Sequence, residues 1–333
     1  MLLCGYYGFG NLGDELLAQS LVALLVKTGL DRREIALLSA DPAGSQAALG
    51  VASFDRWSLG GIVTALSRSR TLLLGGGGLF QDSTSSRSPL FYGTVVALAR
   101  LLGCRPWSFG QSVGPLRSAL GRMVARNALA ACPLVVVRDE PSRSLLESWG
   151  IAALLSPDPV LALEPQRLPS RGEALLVNLR PWGDLPGRAA EAVTALAEER
   201  GLPLVGVAMA SEDEALMDRL RREGRLPLTE LLHLKNLFDV GPAWARGGSA
   251  VGMRLHFNVL SLIEGVSSVA IPYDPKVRAF AEAWNIPLWE GRGGIAFPVA
   301  GEEDRDANLR AAGKRIEGDL AWARRRMEEV SDS

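Results

Sequence analysis

Three cysteines, two histidines and a charge balance near zero leave several chemistries without material. Cys4, Cys104 and Cys132 form no CxxC pair and are odd in number. A disulfide framework is therefore not expected, and a reducing cytoplasm is the expected setting. His233 and His256 stand far apart with no His/Cys cluster around them, so no metal site is expected. The G-x-S-x-G nucleophile elbow is absent. Lys and Arg total 36 against 37 acidic residues, a formal net charge of -1. No global field draws in nucleic acid or a membrane, and any electropositive site must be local. No apolar run approaches the ~20 residues of a membrane span. The nearest, residues 93–102, is short and carries Arg100. No basic segment precedes the first apolar residues, so no secretory signal is expected. A membrane-linked substrate would have to be met from the cytoplasmic face. Solenoid-type repeats and low-complexity segments are also missing.

What is present is length and rhythm. The 333 residues, 47% of them hydrophobic, suit two domains of roughly 100–200 residues each. Apolar runs at 2–5, 35–38, 71–74, 106–109 and 134–137 read as buried strands. Segments 15–26, 90–102 and 119–130 read as helices between them. The stretch 164–172, with two prolines and no periodicity, reads as a linker. The rhythm restarts with strands at 174–179, 203–208, 249–252 and 268–272 and helices at 216–223, 257–265 and 275–284. This is an α/β pattern with two mostly parallel sheets. The expected domains are residues 1–165, residues 166–303 and an amphipathic helix at 304–333. Two such sheets facing a central cleft would place a ligand at the carboxyl ends of their strands. The last helix sets Leu309, Ala312, Ile316, Leu320, Ala323 and Met327 on one side. Its other side carries Arg310, Lys314, Arg315 and Arg324 to Arg326, a solvated face or a weak contact with anionic headgroups.

After the first strand, Gly8-Phe9-Gly10-Asn11-Leu12-Gly13 fits G-x-G-x-x-G, and Asp41 lies where a ribose-binding acid would sit. Alone this suggests a dinucleotide fold. Asp14 and Glu15 argue against it, because a helix N-terminus that holds pyrophosphate would not carry two carboxylates. They suit acceptor hydroxyls or a general base, or else a helix cap. Gly75 to Gly78 follow another strand and lead to Gln81 and Asp82. These glycines allow close backbone approach to a ligand or simply to the first loop. Asn11, Gln81 and Asp82 are candidate substrate contacts on this rim. Arg138-Asp139-Glu140 reads as a salt-bridge cluster, and Asp158 as a turn cap or a ligand contact.

The second half contributes cations at strand ends. Arg180 follows the first strand, Arg254-Leu255-His256 a later one, and Lys276 the next. Two guanidinium forks and an ammonium on one rim suit a compact, multiply charged anion. Pairing with local acids such as Asp274 is the alternative. His233 sits among leucines as a packing residue. His256 is the candidate acid/base, since an imidazole exchanges protons near neutrality. Trp182 is either a sugar-stacking platform or core.

Taken in order, GYYGFGNLGDE at 5–15, GGGGLFQD at 75–82, GQSVGP at 110–115, VRDEPS at 137–142 and DPV at 158–160 resemble the polysaccharide pyruvyl transferase family, with the likeness nearest its CsaB-type bacterial members. LRPW at 179–182, GMRLH at 252–256 and YDPKV at 273–277 extend the resemblance over most of the chain. Val113 stands where Ile or a similar residue is expected, a trivial departure. The resemblance implies a GT-B-like pair of Rossmann-like domains. It also implies transfer of pyruvate from phosphoenolpyruvate to a sugar as a ketal, with no cofactor beyond that co-substrate. For CsaB-type members the implied acceptor is an N-acetylmannosamine residue of a lipid-linked cell-wall polysaccharide precursor, whose pyruvylated polymer anchors S-layer proteins. The family attributes donor binding to Arg254, Leu255 and His256, and to an Arg matched here to Arg180. Lys276 joins them on charge. His256, Asp14 and Glu15 are the expected catalytic residues. A nucleotide-sugar glycosyltransferase, an NAD-linked oxidoreductase and a non-catalytic sugar-binding protein are the alternatives. The oligomeric state is left open.

Overall fold

The structure is a computed structural model that describes residues 1–83, 85–166, 171–297 and 304–332. Its chain contacts divide into two units. One comprises Met1–Phe9, Asp14–Ala162 and Asn308–Ser333, the other Gly10–Gly13 and Leu163–Ala307.

The first unit alternates strand and helix: β1 (Leu2–Cys4), α1 (Leu12–Lys27), β2 (Ala36–Ser39), α2 (Pro42–Leu49), β3 (Ala52–Asp55), α3 (Leu59–Ser67), β4 (Thr71–Phe80), α4 (Arg87–Leu101), β5 (Arg105–Val113), α5 (Ala119–Ala130), β6 (Val135–Val137), α6 (Glu140–Ser148) and β7 (Leu154–Leu155). The strands form one parallel sheet in the order β3-β2-β1-β4-β5-β6-β7. The order reverses between β1 and β4. Loops leaving the carboxyl ends of those two strands diverge to opposite faces, which opens a crevice there.

Helix α1 buries Leu16, Leu17, Leu21, Val22 and Leu25, nearly all round its axis. Such a helix needs cover on both sides. The carboxy-terminal helix, here α12 (Arg305–Asp332), contributes to it. The Arg324 guanidinium donates to the Thr28 carbonyl at 2.9 Å, and Lys27 pairs with Glu317 at 2.6 Å. Ala312, Ile316, Leu320, Ala323 and Met327 are buried, as their spacing predicts. Burying the three larger side chains contributes about 1.5–3 kcal/mol each.

The second unit repeats the plan with β8 (Ala174–Asn178), α7 (Leu185–Arg200), β9 (Leu204–Ala208), α8 (Ser211–Arg222), β10 (Leu228–His233), α9 (Val240–Trp244), β11 (Gly247–Gly252), α10 (Leu255–Glu264), β12 (Ser267–Ala270) and α11 (Pro275–Ala283). Its parallel sheet runs β10-β9-β8-β11-β12, and the reversal falls between β8 and β11. Both units are thus Rossmann-like parallel sheets, the α/β class that the sequence implies. Among the described residues no helix is long and apolar enough to cross a membrane.

β3, β7 and β10 are absent from the sequence reading, and two further strands run past the ends it gives them. β4 and β5 do not stop at Leu74 and Phe109. They continue through the glycines to Phe80 and Val113, pairing Gly77 with Gln111 and Phe80 with Val113. Gly76, Gly77 and Gly110 take positive φ values of 70°, 74° and 72°. That conformation lets the strands bulge and stay paired. The expected loops there are sheet. Of the expected linker at 164–172, residues 167–170 lie outside the described residues.

Candidate active site

Strand order decides which sequence candidates meet. In the second unit β8, β11 and β12 are neighbours, with Asn178 opposite Gly252 and Gly252 opposite Ala270. Arg180, Arg254, His256 and the Tyr273–Lys276 turn therefore leave adjacent carboxyl ends around one switch point. The Asn178 side chain stitches the rim together. Its Oδ1 accepts from the Arg254 N–H at 3.0 Å, and its Nδ2 donates to the Val207 carbonyl at 2.8 Å.

The cations differ in their partners. Arg180 Nη1 donates to the Tyr273 hydroxyl at 2.9 Å, and the guanidinium lies over the Tyr273 and Trp182 rings at 4.8 and 5.8 Å. No carboxylate forms an ion pair with Arg180 among the described residues, although its charge helps to hold the Glu212 carboxyl below its usual range. Arg254 is the opposite case. Its Nε and Nη2 donate to Asp213 at 2.8 and 2.7 Å, and Nη2 also donates to Glu212 at 2.7 Å. Asp213 is fully buried and takes two further bonds, from the Met209 N–H and Asn178. Burial disfavours the charged Arg254, but Asp213 and Glu212 outweigh it and hold its pKa above the ordinary value. Glu212 shows the reciprocal effect: burial opposes its ionisation, but Arg254 prevails and holds the carboxyl below its usual range. Nε and Nη2 of the fork are held by two acids, and the residue anchors the start of α10. Lys276 is likewise paired, 3.6 Å from Asp274, which also caps α11 through the Lys276 N–H. The Leu255 side chain is buried.

Arg254 is the N-cap residue of α10 and supplies no side-chain cap. The first turn of a helix is a general place for an anion. His256 lies in this first turn and is largely buried. The segment Gly10–Gly13 clusters with this unit. Its Leu12 N–H donates to the Met209 carbonyl at 2.9 Å. A Cβ placed on Gly13 would lie 2.2 Å from His256 Nδ1. The third glycine of the G-x-G-x-x-G pattern is thus required by the His256 imidazole. A cavity of about 600 Å³ lies beside the same rim, lined by Pro181, Trp182, Gly183, Pro186, Glu212, Ala215, Leu216 and Arg219.

In the first unit the polar candidates surround the β1/β4 reversal. Glu15 Oε1 accepts from the Gly8 N–H at 2.8 Å, closing the first loop. The Asp14 carboxylate lies over Gly77, where a Cβ would be 2.8 Å from its Oδ1. The buried Tyr7 hydroxyl donates to the Gly75 carbonyl. Gly75, Gly76 and Gly77 therefore serve the packing of α1 and the first loop. Gln81 Oε1 accepts from the Ser83 N–H and hydroxyl at 3.0 and 2.7 Å. Asp82 accepts from the Arg117 N–H at 2.6 Å, the Ser118 N–H at 2.8 Å and the Ser118 hydroxyl at 2.6 Å. It thereby latches the entry to α5. Burial would raise its pKa, but those hydrogen bonds and Arg122 hold it below the ordinary value. Arg138 forms a buried ion pair with Asp158 at 2.6 Å, while Asp139 caps α6 through the Ser142 N–H at 2.9 Å. Asn11 immediately precedes α1. His233 pairs with Glu214 at 2.8 Å.

Sequence reasoning missed Glu212, Asp213 and Tyr273 as partners of the arginines. Glu212 and Asp213 open α8 just beyond β9, and strand-end logic applied to that helix start would have found them. Among the described residues no group of three or more His, Cys, Asp or Glu side chains is placed to hold a metal ion.

Both units are Rossmann-like parallel sheets with polar residues at their reversals, a fold that hosts many functions. The comparisons sharpen this. The model of the polysaccharide pyruvyl transferase family matches residues 11–275. The chain belongs to that family. A search of curated proteins finds no match. Among solved structures, the UDP-GlcNAc 2-epimerase of Methanocaldococcus jannaschii is similar at a TM-score of 0.53 and 10% identity, over 95% of this chain and 93% of that one. The UDP-N-acetylglucosamine 2-epimerase of Rickettsia bellii gives 0.54 at 9% identity, over 100% and 98%. A putative UDP-N-acetylglucosamine 2-epimerase of Listeria monocytogenes gives 0.56 at 9% identity, over 95% and 90%. At such identities the likeness is one of fold.

Proposed function

We propose that this transferase moves pyruvate from phosphoenolpyruvate onto two hydroxyls of a sugar, forming a ketal and releasing phosphate. The acceptor in this reading is an N-acetylmannosamine residue of a lipid-linked cell-wall polysaccharide precursor, reached on the cytoplasmic side. The observation that carries the donor assignment is Arg180. It is a cation without an ion-paired carboxylate among the described residues, just past β8, the neighbour of the strand that leads into the start of α10 and His256. A carboxylate and a phosphate on one small frame suit a guanidinium fork plus helix-start amides.

His256 protonates the methylene carbon of the donor, leaving an oxocarbenium centre at the carbon that bears the phosphate ester. One acceptor hydroxyl adds there and loses its proton. The carbon–oxygen bond to phosphate then breaks, and the second hydroxyl closes the ketal. One proton is taken up at carbon and two are released from the hydroxyls. The surplus proton leaves with phosphate. Arg180 and the α10 amides hold the donor and stabilise the departing phosphate. Arg254 acts through position, with its fork fixed by Asp213 and Glu212. Lys276 adds a cation tempered by Asp274. Asp14 and Glu15, with Asn11 and Gln81, orient the acceptor hydroxyls. No cofactor enters this scheme.

The test is incubation with phosphoenolpyruvate and aryl or lipid-linked N-acetylmannosaminides. Stoichiometric phosphate release and a pyruvate-sized mass gain on the sugar are expected. Both fall by at least about 100-fold in His256→Ala. Near-normal turnover of that variant would remove His256 from the scheme.

A further inference from the structure

Residues 56–137 contain nine arginines and one acid, Asp82, in a chain whose formal charge is -1. The fold turns this segment into a layer. Helices α3, α4 and α5 pack side by side on the first sheet. α4 and α5 approach so closely that a Cβ on Gly93 would be 2.4 Å from Val124 Cγ1. The strands are parallel, so all three helices begin at the same edge, the carboxyl ends of β3, β4 and β5.

That edge presents apolar side chains to solvent. Trp57 and Leu59 are each 66% exposed, and Leu90, Leu120 and Met123 are exposed as well. Leu90 and Leu120 lie one turn before the Gly93–Val124 contact, toward the same edge. The Trp57 ring continues into Phe91 at 6.2 Å and Phe9 at 6.1 Å, and Phe9 stacks on Tyr6 at 4.0 Å. The buried Arg56 guanidinium supports these rings from 4.3 Å at Phe91 and 4.8 Å at Phe9. Exposed Arg87, Arg117 and Arg122 stand at or near the starts of α4 and α5, and exposed Arg126 lies one turn further along α5. Arg122 also donates to the Leu116 and Arg117 carbonyls at 3.0 and 3.1 Å. Cations at a helix start oppose its dipole, so helix stability does not account for Arg87 and Arg117. The one acid of the segment is engaged by the entry to α5.

We propose that this edge docks the protein onto an anionic lipid bilayer, with Trp57, Leu59, Leu120 and Met123 entering the headgroup region and the arginines meeting lipid phosphates. A second copy meeting this edge through two-fold symmetry would set arginines against arginines. Protruding leucines and a methionine serve a lipid interface better than a nucleic-acid backbone. The carboxy-terminal helix is a weaker candidate. Its Arg315, Arg324 and Arg326 pair with Asp319, Glu328 and Glu329. The proposal is independent of the reaction assigned above.

The experiment is sedimentation of the full chain with phosphatidylcholine vesicles, with and without phosphatidylglycerol. Binding to the anionic vesicles alone is expected. Leu59→Ser/Leu120→Ser/Met123→Ser and, separately, Arg122→Glu/Arg126→Glu should each weaken it at least about tenfold. Circular dichroism should remain that of the wild type, and phosphate release with a soluble acceptor should not change. Arg310→Glu/Lys314→Glu on α12 should bind as the wild type does. Equal binding to neutral vesicles, undiminished binding by both patch variants, or loss through the α12 variant would overturn the proposal. So would displacement by RNA that both patch variants abolish, or a dimer that they dissociate. Loss of catalysis with vesicle binding intact would count against the reaction and leave the surface standing.

Discussion

Removing the Asp213 carboxylate should destabilise the second unit more than most single changes in this chain. Asp213 is fully buried and accepts two bonds from Arg254, at 2.8 and 2.7 Å. It also accepts the Met209 N–H at 3.2 Å. Asp213→Ala leaves a buried guanidinium with Glu212, which is 53% exposed, and strands the Met209 amide. Breaking such a pair from one side costs about 3–5 kcal/mol. A unit of this size loses about 2–4 °C of Tm per kcal/mol, so the melt should fall by about 6–20 °C. Asp213→Asn keeps the shape and part of the bonding, and should lose less. The double variant Asp213→Ala/Arg254→Met should be more stable than Asp213→Ala alone, because no buried charge is left unpaired. Thermal melts followed by circular dichroism measure all three. A Tm within about 2 °C of the wild type for Asp213→Ala, or strictly additive losses in the double variant, would refute the ion-pair reasoning.

Gly13→Ala places a methyl group 2.2 Å from His256 Nδ1, so the imidazole must move. The expected result is a loss in kcat of about 10- to 100-fold with a smaller change in KM for phosphoenolpyruvate, read from steady-state phosphate release. Glu212 predicts an acid limb of stability. Burial opposes its ionisation, but Arg254 holds its folded pKa below the unfolded value of about 4.3. Its contribution is therefore complete above the unfolded pKa and drains as pH falls through the folded one. Glu212→Gln should narrow the Tm difference between about pH 6 and about pH 3, and an unchanged difference would exclude Glu212 as a source.

The sheets were legible because buried parallel strands write themselves as apolar runs. Residues 119–130 coincide with α5, and 275–284 with α11 to within one residue. Elements built on small residues were not. α2 and α3 contain three glycines between them, and α7 rests on alanines, so neither apolar run length nor period announces them. β4 and β5 were cut short because glycine reads as a loop signal. Here positive φ at Gly76, Gly77 and Gly110 serves bulges inside the sheet. The rim of the second unit could be read from strand ends, which is why Arg180, Arg254 and His256 fall together. Pairing could not. Nothing local to Arg254 shows that Glu212 and Asp213, some forty residues earlier, occupy its fork. The partners of Asp82 were hidden for the same reason, since Arg117 and Ser118 come from the next strand–helix junction.

The most direct measurement is calorimetric titration of phosphoenolpyruvate into the wild type and Arg180→Ala, with UDP-GlcNAc as the comparison ligand. Saturable binding of phosphoenolpyruvate, weakened by at least about 30-fold in Arg180→Ala, is the predicted result, given the ~2 kcal/mol or more that a charge-assisted contact contributes. Tight binding of UDP-GlcNAc with none of phosphoenolpyruvate, or equal phosphoenolpyruvate affinity in the two proteins, would contradict it.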